Sequence, residues 1–168
     1  LFPGGLMELV RPVYESARMG SFYNGCVVAA IDVILAGLPA ARRNFVALEV
    51  GAGTGSTASS VLPLIRDLCA RYFFTDVSEV FLLKAQARFS EYAFVEYALL
   101  NVDAEPRIQG FASHEHHLLV STNCLHATPF MRNTLRHCLQ LLRPQGFLVV
   151  NELLRTTAFA QITFGLTD

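Results

Sequence analysis

The chain has 168 residues, with 13 Lys and Arg against 14 Asp and Glu and a formal net charge of -1. No basic run could track a phosphate backbone, so nucleic acid is not an expected partner. Hydrophobic residues make up 52%, charged ones 16%, and mean hydropathy is +0.39, so some apolar surface is expected to meet a neighbour. The most membrane-like run, CVVAAIDVILAGLP, contains Asp32 and falls short of the roughly 17–25 residues a span requires, so no membrane partner is expected.

The opening LFPGG and the closing GLTD read as the ends of a piece cut from something longer. Next come two runs with helical apolar spacing, LMELVRPVYESA, interrupted by Pro12, and YNGCVVAAIDVILAG, which stops at Gly37 before Pro39. Residues 1–43 are therefore expected to form a helical cap and residues 44–168 one core domain.

From Asn44 short β-rich runs alternate with longer helical ones, the signature of βαβ units. Strands are predicted near FVALEV (45–50), YFFTDV (72–77), FVEYALLNV (94–102), HLLVSTN (117–123) and FLVVNEL (147–153), each apolar on both faces as buried parallel strands are. Helices are predicted around Ser56 to Ala70, Glu79 to Glu91 and Pro129 to Leu142, the last closed by the turn RPQG; the crossover DAEPRIQGFASHEH shows no clear helix. The fold class is α/β, an open, mainly parallel, Rossmann-like sheet with helices on both faces.

The first strand runs into EVGAGTGST, where Gly51, Gly53 and Gly55 allow close backbone approach to a ligand. Ser56 stands where a dinucleotide fingerprint needs glycine, and Ser56-Thr57 where a phosphate loop needs Gly-Lys. Glu49, two residues before the first glycine, would repel a pyrophosphate but suits a cationic ligand. S-adenosylmethionine, with its ammonium and sulfonium, is such a ligand. Asp76 ends the second strand, where an acid can accept both ribose hydroxyls or compete with Ser78 to cap the next helix. Beside Glu49 and the glycines, the ribose role is favoured. Asn101 could bond an adenine edge.

HLLVSTN delivers NCLHAT, Asn123 to Thr128, to the carboxyl end of the sheet, where open α/β folds bind ligands. The Asn-Pro-Pro-Tyr-like stretch of methyltransferases acting on base or amide nitrogens is absent there. Instead His126 offers an imidazole, whose ordinary pKa of about 6.5 suits a general base. Glu152, ending the neighbouring fifth strand, would fix its tautomer and strengthen it as a base. A capping histidine and a solvated glutamate are the competing readings. His114, His116 and His117 lack a completing ligand set and read as a surface loop; His137 and Cys138 read as packing. Cys26, Cys69, Cys124 and Cys138 form no CxxC pair and read as reduced thiols of a cytoplasmic protein, with no metal site.

These residues carry a family resemblance. ExGAGTG, FTDVS, LLVSTNCLHAT and LLRPQGFLVVNELL, with the flanks LFPGGLMELV and FAQITFGL, resemble the C-methyltransferase domain of modular polyketide synthases over nearly the whole chain. The resemblance implies a class I methyltransferase that moves a methyl group from S-adenosylmethionine to the α-carbon of a β-ketoacyl chain. That chain would be held through phosphopantetheine on an acyl carrier protein, with other synthase domains as neighbours. It implies His126 and Glu152 as the catalytic pair. Glu49, Gly51, Ala52, Gly53, Asp76, Val77, Asn101, Val102 and Asn123 would line the cofactor site, and Tyr23 the substrate pocket. Leu100-Asn101-Val102 replaces the Leu-Asp-Ile such domains often have, and His116-His117 replaces Tyr-Asp. The family's last two strands would lie beyond GLTD. The alternatives are a small-molecule O-methyltransferase, or a non-catalytic scaffold within a synthase.

Overall fold

A computed structural model describes residues 18–38 and 44–152. The order of elements is α1 (Arg18–Ala36), β1 (Phe45–Val50), α2 (Ser56–Ile65), β2 (Cys69–Asp76), α3 (Glu79–Arg88), β3 (Val95–Leu99), β4 (His116–Thr122), α4 (Met131–Leu141) and β5 (Leu142–Asn151), with 3-10 turns at Pro106–Gln109 and Leu125–Ala127. The five strands form one parallel sheet in the order β3-β2-β1-β4-β5. This is the expected fold class. The first of the two predicted lead-in helices and the run FAQITFGL lie outside the described residues.

Two cores sandwich the sheet. On one face, Phe45 and Ala47 of β1 meet Val27 and Ile31 of α1, Val61, Leu62 and Ile65 of α2, and Leu82 of α3. On the other, Leu48 and Val50 meet Leu119 of β4 and Cys138 and Leu141 of α4. The buried positions of α2, Thr57, Ala58, Val61, Leu62 and Ile65, form one stripe at helical spacing. Each fully buried Val, Leu or Ile contributes about 1.5–3 kcal/mol.

Several boundaries depart from the sequence reading. α2 ends at Ile65, not Ala70, because β2 already pairs from Cys69 with Phe45. β3 is shorter than predicted: it ends at Leu99, and the last bond to the neighbouring strand is Leu100 N donating to Asp76 O at 3.0 Å, where β2 itself ends. β5 starts early but is broken. Leu142 pairs with His116 and Phe147 with Leu118, so residues 143–146 bulge out as the expected RPQG turn, with Gln145 at φ 63. The prediction that every strand is apolar on both faces holds for β1 but not for β3 and β5, which lie at the sheet's edges among the described residues and expose Leu99, Phe147 and Val150.

The surface-loop reading of His114, His116 and His117 fails for two of the three. His116 and His117 are buried in β4, and only His114 is exposed. The physical reason is pairing. His116 Nδ1 lies 3.0 Å from Leu141 O and its ring makes a T-shaped contact with Phe73, while His117 Nδ1 accepts the Val46 amide at 3.1 Å.

Candidate active site

The carboxyl ends of β1, β2, β4 and β5 converge on one rim of the sheet. At the first, the chain leaves β1 through Gly51 at φ 65 and Gly53 at φ 53, conformations that cost most side chains energy. A Cβ on Gly51 would stand 2.2 Å from Cys124 Sγ, so the glycine turn and the NCLHAT loop are in van der Waals contact. A Cβ on Gly53 would meet nothing nearer than 4.0 Å. Backbone there is open to a ligand, whereas Ala52 is buried, its amide donating to Thr75 O at 2.9 Å.

Asp76 braces this turn. Its Oδ2 accepts the Gly53 amide and its Oδ1 the Ser78 amide, each at 2.9 Å. The N-cap of α3 is Ser78, not Asp76. Fixing the middle glycine to the end of β2 is a task the sequence did not suggest. Val77 follows with its side chain exposed at the same end of the sheet.

Glu49 is 1% exposed beneath this turn. Its Oε2 accepts the Tyr72 hydroxyl at 2.7 Å, and its backbone oxygen accepts the Thr75 hydroxyl at 2.5 Å. Burial pushes its carboxyl up to about 8, against the lowering effect of the Tyr72 bond and with a smaller push from Asp76.

Asn101 is exposed, and its Oδ1 accepts the Asp103 amide at 3.0 Å. Gln109 clamps its backbone: Asn101 N donates to Oε1 at 2.8 Å and Nε2 donates to Asn101 O at 2.9 Å. Sequence reasoning missed Gln109, since a glutamine in an irregular crossover carries no periodic signal. Val102 packs into the second core, and its carbonyl lies 2.8 Å from His137 Nδ1, so His137 does more than pack.

Around NCLHAT, Asn123 adopts φ 49 and its amide donates to Asn151 O at 2.8 Å, tying the end of β4 to the end of β5. That pairing sets His126 beside Glu152. His126 Nδ1 lies 2.5 Å from Glu152 Oε2, while Oε1 accepts the amides of Cys124 at 3.0 Å and Leu125 at 2.7 Å. The Glu152 side chain is 10% exposed and that of His126 55%. An imidazole donating Nδ1–H to a carboxylate presents the lone pair of Nε2 outward, the geometry of a base. Burial pushes the neighbouring Cys124 thiol up to about 11, which leaves it inert.

Tyr23 is half-buried on α1 with its ring edge-on to Phe22. Beside it an open pocket of about 300 Å³ is lined by Ser21, Asn24, Gly25, Val28, Ser56, Ser59 and Ser60. Asn24 joins the two helices across it, donating to Ser56 Oγ at 2.9 Å. Among the described residues no helix is long and apolar enough to cross a membrane.

Comparison with known proteins follows the same lines. The family model described as "Methyltransferase domain" matches residues 48–148. The chain is 44% identical to the polyketide synthase ThaG of Burkholderia thailandensis over 100% of its own length and 3% of that protein's. Among solved structures, the CurJ carbon methyltransferase matches with a TM-score of 0.90 and 36% identity over 98% of this chain and 44% of that one. The trans-methyltransferase CalH, solved in complex with SAH, matches with a TM-score of 0.76 and 31% identity over 87% of this chain and 42% of that one. The chain thus spans under half of the solved structures and a small fraction of the synthase. It belongs to the methyltransferase domain family, as a methyltransferase domain of the polyketide synthase kind built like the carbon methyltransferases.

Proposed function

We propose that this chain catalyses S-adenosylmethionine-dependent methylation of the α-carbon of a β-ketoacyl thioester carried on an acyl carrier protein. The observation that carries the reading is the His126–Glu152 pair, with the carboxylate held by two backbone amides and the imidazole half exposed. The residues at the rim fit the cofactor. Glu49 is a buried acid that suits a cation, Gly53 leaves backbone open, and the Asp76 oxygens keep further lone pairs for ribose hydroxyls. When bound, S-adenosylmethionine supplies an electrophilic methyl group.

The protein's own work is proton removal and positioning. A carbon between ketone and thioester is acidic enough for an imidazole. Its C–H bond breaks, the proton passes to His126 Nε2, and the electron pair stays on the substrate as an enolate ready to attack a methyl group. Glu152 holds Nδ1–H in place and stabilises the imidazolium. Asn101 and Val102 would flank adenine, Asn123 the cofactor's outer edge and Tyr23 the substrate. Residues 1–43 would act as a cap over the core, and the acyl carrier protein and adjoining synthase domains would be the partners.

The test is incubation of the protein with S-adenosylmethionine and a β-ketoacyl carrier protein, followed by mass spectrometry and positional analysis of the methyl group. Methyl on carbon, abolished in His126→Ala, is expected. Methyl on oxygen, or unchanged rates in the variant, would overturn the reading.

A further inference from the structure

The loop bearing His126 is held from two sides. Glu152 grips it from the end of β5, accepting the amides of Cys124 and Leu125. The Leu125 carbonyl is gripped from α4. It accepts the Thr128 hydroxyl at 2.7 Å and the Thr128 amide at 3.1 Å, and Thr128 Oγ1 in turn accepts the Thr134 hydroxyl at 2.7 Å. Thr134 is 0% exposed and shares the buried face of α4 with Cys138 and Leu141, which pack against β1 and β4.

A threonine inside a helix ordinarily turns its hydroxyl back to the carbonyl four residues earlier. For Thr134 that carbonyl, Phe130 O, stands at 3.3 Å, and the loop hydroxyl is the nearer partner. Hydroxyls bonded in series polarise one another, so the bond to Thr128 strengthens the one from Thr128 to the Leu125 carbonyl. That carbonyl lies in the same rigid peptide plane as the His126 nitrogen, so fixing its oxygen fixes the direction in which the His126 side chain leaves the backbone. With the hydroxyls gone, only the Thr128 amide restrains the plane, and a small rotation moves Nδ1 off Glu152 Oε2, 2.5 Å away.

We infer that Thr134 is a positioning residue for methyl transfer: from the buried face of α4, and through Thr128, it sets the peptide plane from which His126 meets Glu152. This rests on the reading of His126 as the base and adds to it a buried residue that acts only through the loop.

Two measurements on the complete protein test this. Thr134→Val removes the hydroxyl and keeps the branched shape, whereas Thr134→Ser keeps the hydroxyl and drops the methyl. In methyl transfer to an acetoacetyl carrier protein, Thr134→Val should lose about tenfold in kcat, roughly the worth of one hydrogen bond. Its affinity for S-adenosylmethionine should stay within about twofold of wild type, and Thr134→Ser should keep kcat within about threefold. A protein carrying both Thr128→Val and Thr134→Val should lose no more than Thr128→Val alone, because one residue acts through the other.

The second measurement needs neither cofactor nor substrate. Proton NMR with nitrogen-15-labelled histidine, near freezing, follows the His126 Nδ1 proton, assigned by its disappearance in His126→Ala. A proton in a short bond to a carboxylate resonates far downfield. The signal should be sharp in wild type and Thr134→Ser, and should move upfield and broaden in Thr134→Val. A Thr134→Val protein that melts lower but keeps the wild-type kcat and resonance overturns the inference and leaves the base reading intact. So does a Thr134→Ser protein as impaired as Thr134→Val, which assigns the effect to lost packing. A His126→Ala protein that transfers methyl at the wild-type rate overturns both.

Discussion

Glu152 divides its two oxygens between tasks: Oε2 meets His126 Nδ1 at 2.5 Å, and Oε1 accepts the backbone amides of Cys124 and Leu125. The carboxylate therefore builds the loop that carries the base as well as orienting the base. The two tasks are linked, because the amides fix where Oε2 points.

Glu152→Gln separates them. The amide oxygen can still accept from Cys124 and Leu125, but its NH₂ then faces Nδ1 and forces the proton onto Nε2, the wrong tautomer for a base. Methyl-transfer kcat is expected to fall about 10²–10⁴-fold. Cofactor affinity measured by calorimetry should stay within about twofold of wild type if, as proposed, the pair acts only on the substrate.

Gly51→Ala meets two obstacles, a φ of 65 and Cys124 Sγ at 2.2 Å from the new methyl. The left-handed conformation alone costs about 1–2 kcal/mol, and the displaced thiol drags the loop that bears His126. Urea denaturation should show a loss of at least that size. Cys124→Gly in the same protein should restore the steric part and leave the conformational part.

Glu49→Gln is expected to stabilise the free protein. A carboxyl raised from an ordinary 4.5 to about 8 on folding takes up a proton. Wild-type stability is therefore fully present below the unfolded value and is lost as pH rises from about 4.5 towards 8. The advantage of the variant should be smallest near pH 5 and grow up to pH 8, read as urea midpoints at each pH. Loss of cofactor binding in the same variant would show a site that trades stability for function.

His116 works in the opposite sense. Burial lowers its pKa, with partial opposition from its bond to Leu141 O and from Glu115. The folded state prefers the neutral ring, so this contribution is present above the unfolded value of about 6.5 and is lost as pH falls below it. In His116→Phe the stability change between pH 7.5 and pH 5.5 should be smaller than in wild type, with the remaining slope due to other groups.

Much of this was legible in the residues. Alternation of apolar β-rich and helical runs indicates a parallel α/β sheet whatever the side-chain detail, because a strand covered on both faces must be apolar throughout. The glycine turn after β1 was legible from spacing, and its flanking acid from charge. His126 and Glu152 could be named because both follow strands to the same rim.

Other features had no local signature. His116 and His117 read as polar loop residues, yet tertiary partners, the Leu141 carbonyl and the Val46 amide, each hold one ring nitrogen of them inside the sheet. Gln109 is an ordinary glutamine until the crossover folds its amide onto both backbone groups of Asn101. Tyr72 reads as one apolar strand residue among several; only the register of β1 against β2 sets its hydroxyl on Glu49. Sequence by itself determined the class of fold and which side chains reach the carboxyl rim, since periodicity and turn chemistry are local. Whether His126 and Glu152 meet, 26 residues apart, was decided by the pairing of β4 with β5 and the Asn123 tie to Asn151. Contact over that separation depends on packing that no short window of residues encodes.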